Sequence, residues 1–300
     1  MEIKKKYLSY CIAKLRNCQR GERTIKEFNN RKKAKKLAEY ITGKELRQYL
    51  ARKVEQYVGK DITVFDGAVG SGQLEEYIKP KFLYGVEIQE ESCRYCKENY
   101  PDSEIKNMSF FEYDSEIQAD CVVMNYPFSL KFNDLTQLEK ENIQKYFPWK
   151  KSGVVDDIFI LQSLKYTKRY AFYIGFPGIT YRKTESKLRE LIGNQLKELN
   201  YIQNAFEDTS IEVIFMVIDK EKTDTETFRE LYDCKTDKQI CKETVEVEDR
   251  WSRIVAPVEE EIIDIEKLEK EIEGNKKKRR KLEDELDDFI KNEIKPLIGE

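Results

Sequence analysis

The stretch Ala119-Asp-Cys-Val-Val-Met-Asn-Tyr-Pro-Phe128 constrains this chain more than any other. An apolar run stops abruptly at an amide, then continues with an aromatic residue, a proline and a second ring. A buried strand of an open α/β sheet ends this way, and it delivers Asn125, Tyr126, Pro127 and Phe128 to the sheet edge where such folds bind ligands. The residue types suit one task. An amide oxygen and a neighbouring backbone carbonyl can accept two hydrogen bonds from an exocyclic amine, and a ring can stack on a flat base.

The flanking pattern gives the rest of the sheet. Asp61 to Phe65 reads as a strand, Asp66 to Gly72 as a glycine-bearing turn, and Leu74 to Ile78 as a helix that stops near Pro80. Phe82 to Val86 is a second strand ending at Glu87, Glu90 to Asn99 is a helix, and Val122 to Met124 closes the next strand. Beyond Phe128 come a polar loop over 129–155, a helix over 156–167, a strand from Arg169 to Phe176 and a helix from Glu185 to Asn194. Two closing strands are expected at 200–206 and 211–219. Strands alternating with helices of about ten residues predict an α/β fold, a parallel sheet with helices on both faces.

This sheet occupies 59–220. Residues 1–58 read as an N-terminal helical segment, 221–256 as a linker or small subdomain, and 257–300 as a helical, coiled-coil-like tail. In the tail, Ile262, Ile265, Leu268 and Ile272 make one apolar stripe and Leu282, Leu286, Phe289 and Leu297 another, with Gly274-Asn275 expected to break the helix into a hairpin. A partner interface and packing on the chain's own domain both fit these stripes.

Composition narrows the chemistry. With no histidine, Ser-His-Asp hydrolases, Cys-His proteases and His-ligated zinc are excluded. Seven cysteines without regular spacing suit a reducing cytoplasm, and Cys93-Arg-Tyr-Cys96, alone on a predicted helix, is no metal motif. No apolar run is long enough for a membrane span, and the N-terminus lacks the apolar segment of a signal peptide. The net charge of −3 hides an asymmetry: residues 1–40 carry 13 Lys/Arg against 4 Asp/Glu, and residues 221–300 carry 17 against 25. A basic arm, with Arg31-Lys-Lys-Ala-Lys-Lys36 at its centre, can contact phosphates, whereas an acidic tail suits a protein partner. The run Lys276 to Lys281 reads first as a solvated helix face.

Val64-Phe-Asp-Gly-Ala-Val-Gly-Ser-Gly72 follows a predicted strand and precedes a predicted helix, so its glycines let a ligand approach the backbone closely. Glu87, 21 residues after Asp66, ends the next strand, where a carboxylate accepts the two ribose hydroxyls of an adenosyl group. The spacing is not the three-glycine fingerprint of dinucleotide sites.

Together these segments resemble the N6-adenine DNA methyltransferases, in particular the modification subunits of type I restriction–modification systems. Asn125-Tyr-Pro-Phe128 resembles their Asn-Pro-Pro-Phe/Tyr motif, and Asp66-Gly-Ala-Val-Gly-Ser-Gly72 their Asp-Pro-Ala-Cys-Gly-Ser-Gly segment. Tyr84-Gly-Val-Glu-Ile88, Tyr40-Ile-Thr-Gly-Lys-Glu45 and Ile174 to Arg182 are similar to further family segments, in the family's order from about 38 to 220. The resemblance implies a Rossmann-like class I methyltransferase sheet and S-adenosylmethionine as cofactor, held by Ile41, Thr42, Asp66, Ala68, Gly70, Ser71, Gly72, Glu87, Ile88 and Asn125. It implies double-stranded DNA as substrate, catalysis by Asn125, Tyr126, Pro127 and Phe128, and no metal. Because no segment looks like a target-reading domain, it implies a separate specificity subunit contacted through 257–300. Two departures stand out. Tyr126 replaces the family's first proline, and Asn107-Met-Ser-Phe110 lacks the acid often found after the third strand. Similar motifs serve methyltransferases of protein glutamine and of RNA, and the departures also fit a non-catalytic subunit of a restriction or anti-restriction complex.

Overall fold

The computed structural model describes residues 42–206, 211–255, 265–289 and 291. Among the described residues of the unit that ends at 256, nine strands form one sheet. They are β1 (Thr63–Asp66), β2 (Phe82–Glu87), β3 (Ser103–Asn107), β4 (Ala119–Asn125), β5 (Thr167–Gly175), β6 (Leu196–Gln203), β7 (Val213–Asp219), β8 (Thr227–Asp233) and β9 (Lys238–Val245). The helices are α1 (Lys44–Tyr57), α2 (Glu90–Asn99), α3 (Gln137–Tyr146), α4 (Asp156–Ser163), α5 (Ser186–Ile192) and, in the separate C-terminal unit, α6 (Ile265–Phe289).

The sheet order is β3-β2-β1-β4-β5-β7-β6-β8-β9. The pairs β1–β2, β2–β3, β1–β4 and β4–β5 are parallel, while β7 runs antiparallel to both β5 and β6. Connections leave β1 toward one edge and β4 toward the other, so the topological switch point lies between them. Asp66 and Asn125, the last residues of β1 and β4, therefore flank the crevice that this topology opens.

The period of two along β5 shows how both faces are covered. Tyr170 and Phe172 meet Tyr57 of α1, with ring centroids 5.6 and 6.3 Å away. Tyr173, one residue on, points to the other face and lies 2.8 Å from Ser163 Oγ of α4. The central β7, Val-Ile-Phe-Met-Val-Ile-Asp, is buried at every position, as a strand covered on both faces must be. Among the described residues no helix is long and apolar enough to cross a membrane.

Four sequence expectations need correction. Leu74 to Ile78 forms turns rather than a helix. The segment ends at Lys79, whose φ is +53°, just before Pro80, so a helix has no room to propagate. The 129–155 loop contains α3, capped at Thr136: Thr136 Oγ1 accepts from Glu139 N, and Glu139 Oε2 accepts from Thr136 N. Residues 221–256 are not a linker in the described sheet, because β8 pairs parallel with β6 and β9 antiparallel with β8. Finally, α6 runs unbroken through Gly274-Asn275. One interior glycine costs about 1 kcal/mol, which strong helix formers and the i,i+4 pairs Arg279–Glu283 and Lys281–Glu285 offset. Ile272, Leu282 and Leu286 on α6 are exposed. The N-terminal helical segment as far as residue 41, with its basic run at 31–36, lies outside the described residues.

Candidate active site

At the carboxyl ends of β1, β2 and β4 is a cleft of about 260 Å3. Gly67 and Ala68 line it from the loop after β1, Glu87 and Ile88 from the end of β2, and Asn125, Tyr126, Pro127 and Phe128 from the end of β4. The two ends of the sequence pattern therefore converge on one space.

The loop after β1 is shaped by a buried carboxyl. Asp66, 1% exposed, accepts a 2.7 Å hydrogen bond from Ala68 N, which turns the chain back on itself. Beneath it lies fully buried Glu75, a residue that sequence reasoning missed. Burial drives both carboxyls up, Glu75 well above the usual range, and the neighbouring Asp66 charge pushes Glu75 further in the same direction. Gly72 has φ +80°, and a Cβ there would lie 2.3 Å from the Tyr100 ring, whose hydroxyl donates to Gly72 O at 2.7 Å. Gly72 is thus required both by its backbone and by the ring packed on it. Ser71 O accepts from Asn99 Nδ2 at 2.9 Å, which ties the loop to α2.

Glu87 is held as an acceptor. Its Oε2 takes Gly70 N at 3.0 Å and its Oε1 takes Gln89 N at 2.7 Å, so the carboxylate spans the β1 and β2 loops at the cleft wall. Ile88 beside it is 61% exposed, an apolar surface beside a strand end. Thr42 joins the site from the segment before α1, its Oγ1 accepting from Asn125 Nδ2 at 2.8 Å. Asn125 Oδ1, by contrast, has no hydrogen-bond partner among the described residues. Ile41 lies outside the described residues. Asp66, Gly70, Ser71 and Gly72 shape the loop behind the cleft and do not line it.

Phe128 is 4% exposed and stands perpendicular to Tyr126, centroids 5.9 Å apart. Tyr126 in turn stacks on Phe159 of α4, 5.5 Å away and 10° from parallel. The loop leaves the site through Ser129, whose φ is +61° and whose N–H donates to Asp156 Oδ1 at 2.9 Å. Asp156 begins a buried charged cluster behind the motif, with Asp157, Glu185, Lys150 and Arg182. Lys150 pairs with Asp157 at 2.6 Å, both side chains almost fully buried. The 4.0 Å from Arg182 to Asp156 is too long for a hydrogen bond. Burial pushes the Asp156 carboxyl up to about 7, against the pull of Ser129 N–H and Arg182. It pushes Asp157 up to about 6 against the pull of Lys150.

Two carboxylates that sequence reasoning did not find lie on the third-strand side of the cleft. Met108 and Ser109 line the cleft from that strand end, while Asp134 and Glu139 bring carboxylates to it from the segment after β4. Ser109 Oγ donates to Glu139 Oε1. The signal for Glu139 was the Thr136-Gln-Leu-Glu139 capping box, which predicts the helix that carries it. A larger cleft of about 750 Å3 lies between α1 and strands β6, β8 and β9. Its buried charges are already paired, Lys53 with Glu198 at 2.7 Å and with Glu230 at 3.0 Å, and the loop elements of the switch point are absent from it. Cys93 and Cys96 are both buried, and among the described residues no group of three or more side chains is placed to hold a metal ion.

A switch-point cleft with a strand-end Glu, a glycine-bearing loop and this strand order defines the class I methyltransferase fold. The sequence matches the N-6 DNA Methylase family model over residues 21–285, and the chain belongs to that family. Among solved structures it is similar to a type I restriction–modification methyltransferase subunit from Streptococcus thermophilus (TM-score 0.55, 17% identity, 64% of this chain and 47% of that one). It is also similar to a modification subunit of a putative type I restriction enzyme from Vibrio vulnificus YJ016 (TM-score 0.53, 13% identity, 70% and 56%). A third is a putative class I S-adenosylmethionine-dependent methyltransferase from Listeria monocytogenes (TM-score 0.52, 16% identity, 64% and 65%). This chain spans from about half to just under two thirds of the length of these structures. No curated protein sequence matches it.

Proposed function

We propose that the protein transfers a methyl group from S-adenosylmethionine to N6 of an adenine flipped out of duplex DNA, working beside a partner that reads the sequence. One observation carries this reading: Glu87 and the Asn125–Phe128 segment line a single cleft, and among the described residues Asn125 Oδ1 has no partner while its amide nitrogen is committed to Thr42. Family membership and the modification subunits among the structural neighbours support the same reading.

The cleft fits an adenosyl cofactor. Glu87, held at the cleft wall as an acceptor, would take the ribose hydroxyls. Ile88 would pack on the adenine, and Asp134 with the Ser109–Glu139 pair would accept its amine in place of the absent third-strand acid. When bound, the sulfonium supplies an activated methyl group. The protein's task is then positioning. Asn125 Oδ1 and the Tyr126 carbonyl would each accept a hydrogen bond from the amine N–H groups and aim the nitrogen lone pair, and Phe128 would stack on the base, worth roughly 1–3 kcal/mol. A stacked base cannot reach such a site, which is why the adenine must flip. The exposed Ile272, Leu282 and Leu286, one from the first apolar stripe of the tail and two from the second, would offer the partner apolar surface on α6.

The test is tritiated methyl transfer by the protein isolated in its native complex, offered DNA, RNA and protein acceptors. The reading expects label in DNA, released as N6-methyldeoxyadenosine on digestion. Label in RNA or in protein glutamine would overturn it.

A further inference from the structure

Position 126 carries tyrosine where the resemblance places proline. Proline would restrain the motif by fixing φ; tyrosine cannot. The structure shows where its side chain goes. The ring is 1% exposed, parallel to Phe159 and perpendicular to Phe128. Its hydroxyl reaches the last residue of β5, Gly175, where a Cβ would lie 2.6 Å from Tyr126 Oη but 3.5 Å from Cζ. Gly175 sits in regular pairing with Ile214 of β7 and has no positive φ, so its backbone does not require glycine. The ring requires it. Among the described residues Tyr126 Oη has no hydrogen-bond partner, so shape rather than a polar bond holds the ring in place.

We propose that the Tyr126 side chain is a buried pin, seated in the notch left by Gly175, and that this packing replaces the backbone restraint of proline in fixing Asn125, the Tyr126 carbonyl and Phe128. Tyr126's side chain and Gly175 are positioning groups. They touch no substrate and act through the groups on either side of the ring. The Ser129–Asp156 hydrogen bond holds the other end of the same short loop. The inference rests on the methyl-transfer reading above.

The test is a double-mutant cycle of wild type, Gly175→Ala, Tyr126→Phe and the double variant, assayed for cofactor affinity, methyl-transfer kcat and melting temperature. A displaced pin shifts Asn125 by a fraction of an ångström, so Gly175→Ala is expected to lower kcat by about tenfold or more while cofactor Kd changes by less than about twofold. In the Tyr126→Phe background the added methyl group faces Cζ at ordinary contact distance, and Gly175→Ala should then cost less than about threefold. Tyr126→Pro, which restores the family residue but empties the notch, should be slower than wild type. Equal losses in both backgrounds, an unchanged rate in Gly175→Ala, or loss of cofactor affinity alongside the rate would each overturn the pin. If Gly175→Ala fails to fold, recovery of fold and rate in the double variant supports the pin, and failure of both variants overturns it. A wild-type complex that transfers no methyl group overturns the reading underneath instead, a result the cycle separates from the others.

Discussion

Asp156→Asn should make the protein more stable above neutral pH, although it removes a charge 4.0 Å from Arg182. Asp156 is fully buried, and its carboxyl is raised from 3.8 to about 7, first by burial. The groups facing it are Ser129 N–H and Arg182, which favour the charge, and Glu185 and Asp157, which oppose it. Because the folded pKa lies above the unfolded one, the native state binds more protons between them. The contribution of Asp156 to stability is therefore fully present below about pH 4 and is lost as pH rises through 7. Three units at about 1.36 kcal/mol each set an upper bound near 4 kcal/mol for the cost of ionising Asp156 in place. Asparagine keeps an oxygen for Ser129 N–H and never ionises. Allowing for the lost attraction to Arg182, the variant should gain on the order of 2 kcal/mol at pH 8 and little at pH 4. Urea unfolding at several pH values measures both. An Asn variant less stable than wild type at pH 8, or one with the wild-type pH slope between 4 and 7, would refute the argument.

Glu87→Ala removes the acceptor proposed for the ribose, and at roughly 1.5–3 kcal/mol per charged hydrogen bond it should weaken S-adenosylmethionine binding by about tenfold or more. Isothermal titration checks this, and unchanged affinity would move the ribose elsewhere. Gly72→Ala forces a side chain into φ +80° and against Tyr100. It should cost roughly 1–3 kcal/mol of unfolding free energy and weaken the cofactor as well; unaltered melting would contradict the geometry. Deleting 257–300 should leave cofactor affinity intact and abolish co-purification of the sequence-reading partner, which a pull-down decides.

What could be read in the sequence depended on how each residue paid its desolvation cost. Asn125 and Glu87 stood out because each ends an apolar run, and a polar residue at that point has a strand end as its natural place. Strand β8 was hidden because it buries Arg229 and Glu230, which read as surface residues until their partners are known: Glu243 for Arg229, and Lys53 for Glu230. Edge strand β9 is almost wholly exposed, so no alternation marked it. Helix α3 buries only Glu139 and Ile143, too few for a clear stripe, and its cap was the better signal. Strand β6 begins at Leu196, four residues before the expected start, because its buried Glu198 is paired with Lys53. The Glu75–Asp66 pair could not be read at all, since Glu75 lies in turns that the sequence presents as helix.

The most direct test of the central claim compares wild type with Asn125→Ala in the same native complex, measuring S-adenosylmethionine affinity and the rate of N6-adenine methylation together. The account predicts cofactor affinity within a few-fold of wild type and a rate lower by on the order of 10²-fold, the usual cost of losing one well-aimed hydrogen-bonding group at a reacting centre. Full methylation by Asn125→Ala would contradict it.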